Sequence, residues 1–134
     1  MDKKWSTASF RVFSGSVPPE KIEEYVGVKA TAVHRIGDPV SSTSGSPKRK
    51  EHLYSLSSTL ETYEPLEAHI QHLLERVSAR TPFPPEYVPS IFCGYSSENG
   101  QGAVSFSPEL LAKLAEFGVE LVLDLYPPSN NEEV

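Results

Sequence analysis

Four groups of residues are of a type and spacing that could do chemistry. The first is the run His34-Arg35-x-Gly37-Asp38-Pro39, where an imidazole, a guanidinium and a carboxylate lie within five positions. Together they could hold an anion or move a proton, provided they converge. Strand alternation sends His34 and Arg35 to opposite faces, so the simpler reading is a turn in which Asp38 accepts backbone hydrogen bonds ahead of Pro39. The second group, Lys48-Arg49-Lys50, could grip a phosphate or an acidic partner, or form the solvated end of a hairpin beside Glu51. His69, His72 and Glu75 form the third, with the three-residue spacing of helical metal ligands. His72 falls opposite Ile70 on the helical wheel and His69 borders the apolar stripe, which favours a hydrogen-bonded, partly buried histidine over a ligand set. The fourth is Cys93, the only thiol. It follows Ile91 and Phe92 in a strand and has none of the electropositive setting that activates a nucleophile, so inert core packing is expected. No G-x-S-x-G, H-E-x-x-H, C-x-x-C or glycine-rich phosphate loop occurs. The sequence calls for no catalytic residue, metal or cofactor.

A different pattern points to recognition. Arg11 and Phe13 on a first strand, Tyr54 after the basic loop, Tyr95 late in SIFCGYSS, and Asp124 with Tyr126 on a last strand could project from one sheet face. Tyrosine and arginine bury large areas while keeping a polar handle, so aromatics interleaved with charges suit a binding surface. The competing reading covers that face with the 81–89 connector or with a second copy of the chain.

The elements that must position these groups follow from periodicity and punctuation. Residues 8–14 alternate as a strand, and Ile22, Tyr25 and Val26 mark a short helix that follows Pro18-Pro19 and stops at Gly27. VKATAVHRI and HLYSLSS read as hairpin partners around a long mobile loop at 37–50. Leu66, Ile70, Leu73, Leu74 and Val77 make the clearest helical stripe, with Glu64, Glu67, Gln71 and Glu75 on its solvated side. Past a proline-rich connector come strands at SIFCGYSS and GAVSFS about an Asn99-Gly100 turn. A helix capped by Ser107 faces Leu110, Leu111, Leu114 and Phe117 inward and ends at Gly118. VELVLDLY closes the fold with Val119, Leu121, Leu123 and Leu125 buried. The expected order is β-α-β-β-α-β-β-α-β, an α+β fold with a mixed, largely antiparallel sheet and helices on one face, ferredoxin-like or an elaboration of it. Two β-α-β halves, each running Ser, Pro, Glu, short helix and Gly-Val, echo one another. One domain at 8–126 is expected, with flexible ends at 1–7 and 127–134.

Composition bounds the function. With 134 residues, 38% hydrophobic and 22% charged, the chain suits one globular domain, and no apolar run approaches membrane-spanning length. The formal charge of −6 argues against nucleic acid, which needs a basic face, and no membrane partner is expected. A lone cysteine and an N-terminus without an apolar signal core suit the cytoplasm.

Over residues 8–126 the chain resembles a small bacterial family, domain of unknown function 4279. The likeness is carried by the aromatic opening strand, YVGV at 25–28, Arg35-x-Gly37-Asp38-Pro39, the basic loop end before HLYSL, Cys93, Ser107-Pro108-Glu109 and Asp124-x-Tyr126. The resemblance implies a common fold and no established chemistry, and Tyr54 stands where the pattern would have tryptophan. The reading is a non-enzymatic module that binds a protein through the open sheet face and the 37–50 loop, in one form an immunity-type inhibitor of a basic toxin. Its rivals are a small anionic-ligand domain or enzyme built on His34, Arg35, Asp38 and Tyr54, and a structural homodimer.

Overall fold

The computed structural model describes residues 4–97 and 104–126. The elements are β1 (Lys4–Ser14), α1 (Pro19–Val26), β2 (Ala32–His34), β3 (His52–Ser57), α2 (Leu66–Arg76), β4 (Val88–Ser97), α3 (Pro108–Phe117) and β5 (Glu120–Tyr126). They form the expected α+β fold around one five-stranded sheet in the order β2-β3-β1-β4-β5. All neighbours are antiparallel except β4 and β5. The run from β1 to β4 has the ferredoxin-like order, and α3 with β5 elaborates it. Parallel neighbours cannot be joined by a tight turn, so α3 supplies the crossover.

All three helices contribute to one core on one face of the sheet. Ile22 and Val26 of α1, Ile70 and Leu73 of α2 and Leu110 of α3 are fully buried with Phe10, Val12, Ile91 and Cys93 of the sheet. Phe83, in the proline-rich connector, packs 5.9 Å from Phe10 and 5.2 Å from Tyr25 between ring centroids. The connector therefore lies on the helical side and not across the opposite face, contrary to one of the competing expectations. The internal echo survives in the helices: α1 and α3 both begin with proline and both end at a glycine in the left-handed region, Gly27 at φ 85° and Gly118 at φ 72°. Only glycine adopts such a backbone at no steric cost.

Several boundaries differ from the sequence reading. β1 begins at Lys4, not Ala8, and pairs with β4 from its first residue, so residues 4–7 are strand rather than flexible leader. β2 shortens to three residues because side chains take over the bonding upstream of it. Tyr54 Oη donates to the Val28 carbonyl at 2.7 Å, and Glu23 accepts from the Ala30 amide at 2.6 Å. No strand forms at Val104–Ser107, and among the described residues the sheet has five strands where six were expected. There the Ser107 amide and hydroxyl donate to the Glu67 carboxylate at 2.8 and 2.6 Å, which ties the segment to α2, while β5 occupies the sheet edge beside β4. Glu67 is thus a structural acceptor, not a solvated residue. The Asn99-Gly100 turn falls outside the described residues.

The 37–50 segment continues the β2–β3 hairpin. Its rungs include Arg49 N to Asp38 O at 2.7 Å, Gly37 N to Arg49 O at 2.9 Å and Val40 N to Pro47 O at 2.9 Å. The basic run is therefore carried on a hydrogen-bonded arm. At the other end of the sheet, Leu111, Leu123 and Leu125 are exposed and not buried as expected. β5 is an edge strand, and α3 turns only Leu110 and Leu114 fully inward.

Candidate functional site

The site follows from strand parity. On β1 the even positions Ala8, Phe10 and Val12 enter the core, so Trp5, Thr7, Ser9, Arg11 and Phe13 share the opposite face, which carries no helix among the described residues. The ladder then places Ser96 and Tyr126 in line with Trp5, Gly94 and Asp124 with Thr7, Phe92 with Ser9, Ser90 with Arg11, and Leu53 with Phe13. These rows form a continuous surface from β3 to β5.

Two aromatic arrangements organise it. Trp5 and Tyr126 meet at 5.0 Å between centroids, tilted by 50°, across the intervening β4. Their approach depends on Gly94 beneath them. A Cβ there would lie 3.0 Å from Thr7 Oγ1, 3.2 Å from Trp5 Cζ3 and 3.4 Å from Tyr126 Cε1. Glycine in the middle of a strand weakens it, and the two rings cover the gap. Further along, the Arg11 guanidinium sits 4.1 Å above the centre of the Phe92 ring, and Arg11 Nε donates to Ser9 Oγ at 3.1 Å. The buried serines Ser9 and Ser90 are small enough to let this cation and ring lie against the sheet.

The basic arm reaches the same face. Phe13, Val40, Lys48, Arg49, Lys50 and Glu51 line a shallow cleft of about 210 Å³. Arg49 Nε is buried there and has no hydrogen-bond partner among the described residues. Burial pushes the pKa of Arg11 down, the nearby charge of Arg49 lowers it further, and Tyr126 opposes both. The phenol of Tyr126 is raised, chiefly by its hydrogen bond to the Asp124 carboxylate.

The structure therefore brings together five of the residues singled out from the sequence: Arg11, Phe13, Arg49, Asp124 and Tyr126. His34 lies in the same row as Leu53 and Phe13. Tyr54 and Tyr95 are placed elsewhere. Tyr54 pairs with Val12 and is fully buried in the core, its hydroxyl pushed up to about 12 by burial and then by the charge of Glu23. Tyr95 pairs with Ser6 and lies on the helical side, where it lines a pocket with Glu64, Leu66 and Val104. A register one residue from the expected one moves both rings across the sheet. Arg35 pairs with Glu20, and Asp38 accepts from the Arg35 amide at 2.8 Å, so these two serve the turn. With Tyr54 in the core and His34 in the row of Phe13, the four residues of the expected anion site do not lie on one face of the sheet.

Three residues were missed. Trp5 lay outside the expected strand, and Phe92 and Gly94 were read as members of a core strand. The available signal was parity: Trp5 is separated from Arg11 and Phe13 by even numbers of residues.

The remaining candidates have structural settings. Burial pushes the Cys93 thiol up to about 12. His69 Nδ1 lies 2.7 Å from the Ser58 hydroxyl, and His72 Nε2 lies 3.0 Å from Thr59 Oγ1. Among the described residues, no three or more His, Cys, Asp or Glu side chains are placed to hold a metal ion, and no helix is long and apolar enough to cross a membrane.

This constellation runs from Trp5 to Tyr126, and the model of one family, Domain of unknown function (DUF4279), matches residues 3–128. The chain belongs to the DUF4279 family. No curated protein and no solved structure matches it. The DUF4279 match spans the whole open face, including both ends of the Trp5–Tyr126 contact, so the face lies within the domain the family shares. Membership brings no assigned activity, and function rests on the site itself.

Proposed function

We propose that this DUF4279 domain is a non-enzymatic protein-interaction module and that its partner docks on the open sheet face. One observation carries the reading: Trp5, Tyr126, Phe92, Arg11 and Phe13 share one half-buried to exposed sheet face that, among the described residues, no helix covers. Tryptophan, tyrosine and arginine are the residues that dominate binding energy at interfaces, and a single domain seldom leaves such a patch without use. An immunity-type inhibitor of a basic toxin is one form this module can take. The net charge of −6 would steer a basic protein from a distance, while the aromatic face supplies the short-range contact.

The test is affinity capture with the tagged chain beside a Trp5→Ala/Tyr126→Ala variant whose circular dichroism matches the parent. The reading predicts a stoichiometric partner that the variant loses. Equal recovery by both chains would contradict it.

A second reading has its own observation. β5 is an edge strand with Leu123 41% and Leu125 65% exposed, so a second copy could pair along it. A dimeric mass in light scattering that falls to the monomer in Leu125→Glu would support this homodimer.

A further inference from the structure

We propose that Trp5, Tyr126 and Asp124 form a seat for an arginine side chain of a basic partner protein, an assignment that rests on the interaction reading above and names the chemistry of its anchor.

The contacts around Gly94 carry it. Trp5 Cζ3, Tyr126 Cε1 and Thr7 Oγ1 all lie within 3.4 Å of the point a Cβ of residue 94 would occupy, which gathers two rings and a hydroxyl over one spot of the sheet. The rings meet at 5.0 Å and are tilted by 50°, so each uses at most one face on the other. Tyr126 is 46% exposed and Trp5 half-buried, and aromatic surface therefore reaches solvent. Asp124 stands beside Gly94 in the β4–β5 ladder, and strand parity puts it on the same face as Tyr126. Its carboxylate accepts from the Tyr126 hydroxyl and so adjoins the aromatic pair. It is half-buried, and among the described residues it has no ion-pair partner, in contrast to Glu20, which Arg35 holds. Its neighbours in the same row, Gly94 and Thr7, carry no charge.

A carboxylate beside two aromatic rings is complementary to an organic cation. The ring quadrupoles attract positive charge over their faces, and the carboxylate accepts charge-assisted hydrogen bonds from it. Arginine suits the place better than lysine, because its flat, weakly hydrated head stacks on rings while its fork of donors reaches the carboxylate and the Thr7 hydroxyl together. The same face already carries one such pairing, with Arg11 4.1 Å above the centre of Phe92. The charge of Arg11 also acts on Tyr126, but Asp124 is the stronger influence on that phenol, so the surroundings of the ring are negative on balance. The net charge of −6 favours the approach of a basic protein to this spot.

The experiment follows the indole N–H signal of Trp5, the only tryptophan, in ¹H–¹⁵N spectra of the whole chain. The probes are the blocked peptide Ac-Gly-Arg-Gly-NH₂ and its citrulline counterpart, which keeps the shape of the side chain and removes its charge. The seat predicts a saturable shift with the arginine peptide alone, weakened several-fold when salt rises from about 0.05 to about 0.3 M, as screening of partly exposed charges requires. Asp124→Asn keeps a hydrogen-bonding group beside Tyr126, and should weaken binding about tenfold, the scale of one hydrogen bond to a charged group, with a melting temperature close to that of the parent. Equal saturation by both peptides, or equal binding by Asp124→Asn, would overturn the charge-based seat. Absence of saturation by the arginine peptide would overturn the seat itself. Indole shifts that grow with protein concentration alone would overturn the assignment to a partner and give the seat to a second copy of the chain. Affinity capture separates this seat from the reading beneath it: a partner lost by Trp5→Ala/Tyr126→Ala but retained by Asp124→Asn leaves the interaction face standing and removes the arginine seat, whereas a partner retained by both contradicts the interaction reading.

Discussion

Trp5 and Tyr126 touch above Gly94, 5.0 Å apart between ring centroids, and so join the first and last strands through side chains although β4 separates those strands in the sheet. This contact assembles one end of the candidate surface from opposite ends of the chain.

Replacing the glycine should break it. Gly94→Val puts a branched side chain where even a Cβ comes within 3.0 Å of Thr7 and 3.2 Å of Trp5. The rings must separate, at about 1–3 kcal/mol of stability, the usual cost of overpacking. Trp5 is the only tryptophan, so its emission reports this event directly and should shift to the red. Unchanged emission would show that the rings do not depend on the gap.

Tyr54→Phe separates fold from site. The substitution removes only the hydroxyl that donates to Val28, and should cost about 1 kcal/mol in a denaturant titration. Partner binding should be unaffected, because the ring lies in the core, on the far side of the sheet from the open face.

Cys93 should be inert in the native state. With its thiol pushed up to about 12 by burial, almost no thiolate exists near pH 8. Ellman's reagent is expected to leave the folded chain unmodified and to titrate one thiol once denaturant is added.

His69 gives the fold an acid-sensitive element. Burial, the largest influence, lowers its pKa from the ordinary 6.5, while the nearby Glu61 and Glu64 backbone pulls the other way. Its Nε2 has no hydrogen-bond partner among the described residues. The unfolded chain therefore takes up a proton more readily than the folded one. The contribution of neutral His69 is complete above pH 6.5 and is lost as pH falls below it towards the depressed native value. Melting temperature should drop between about pH 7 and pH 5 in the parent and less in His69→Leu. The Glu20–Arg35 pair acts in a different window: Arg35 holds the Glu20 carboxyl at about 2, so that contribution is lost only as pH falls from 4.5 towards 2.

How far the sequence revealed this site depended on register. The core stripe of α2, the Ser107 cap and the glycine stops of α1 and α3 are local signals, set by spacing within a few residues, and all were legible. Arg11 and Phe13 were also legible, because alternation along β1 is unambiguous. Tyr54 and Tyr95 were not, since their faces are set by pairing with Val12 and Ser6, partners distant in sequence. The expected strand at 102–107 likewise ignored Glu67, which binds Ser107 from forty positions away. Trp5 was lost for a simpler reason: a polar-looking start, KWSTAS, concealed the first half of an 11-residue strand.

The most direct test of the open face as the binding surface is a pair of site-specific photo-crosslinkers. One replaces Thr7, which is exposed on that face beside Gly94, and the other replaces Lys113, exposed on α3 across the sheet. The account predicts that the captured partner crosslinks from position 7 and not from position 113. A crosslink from 113 alone would place the partner on the helical side and contradict the account.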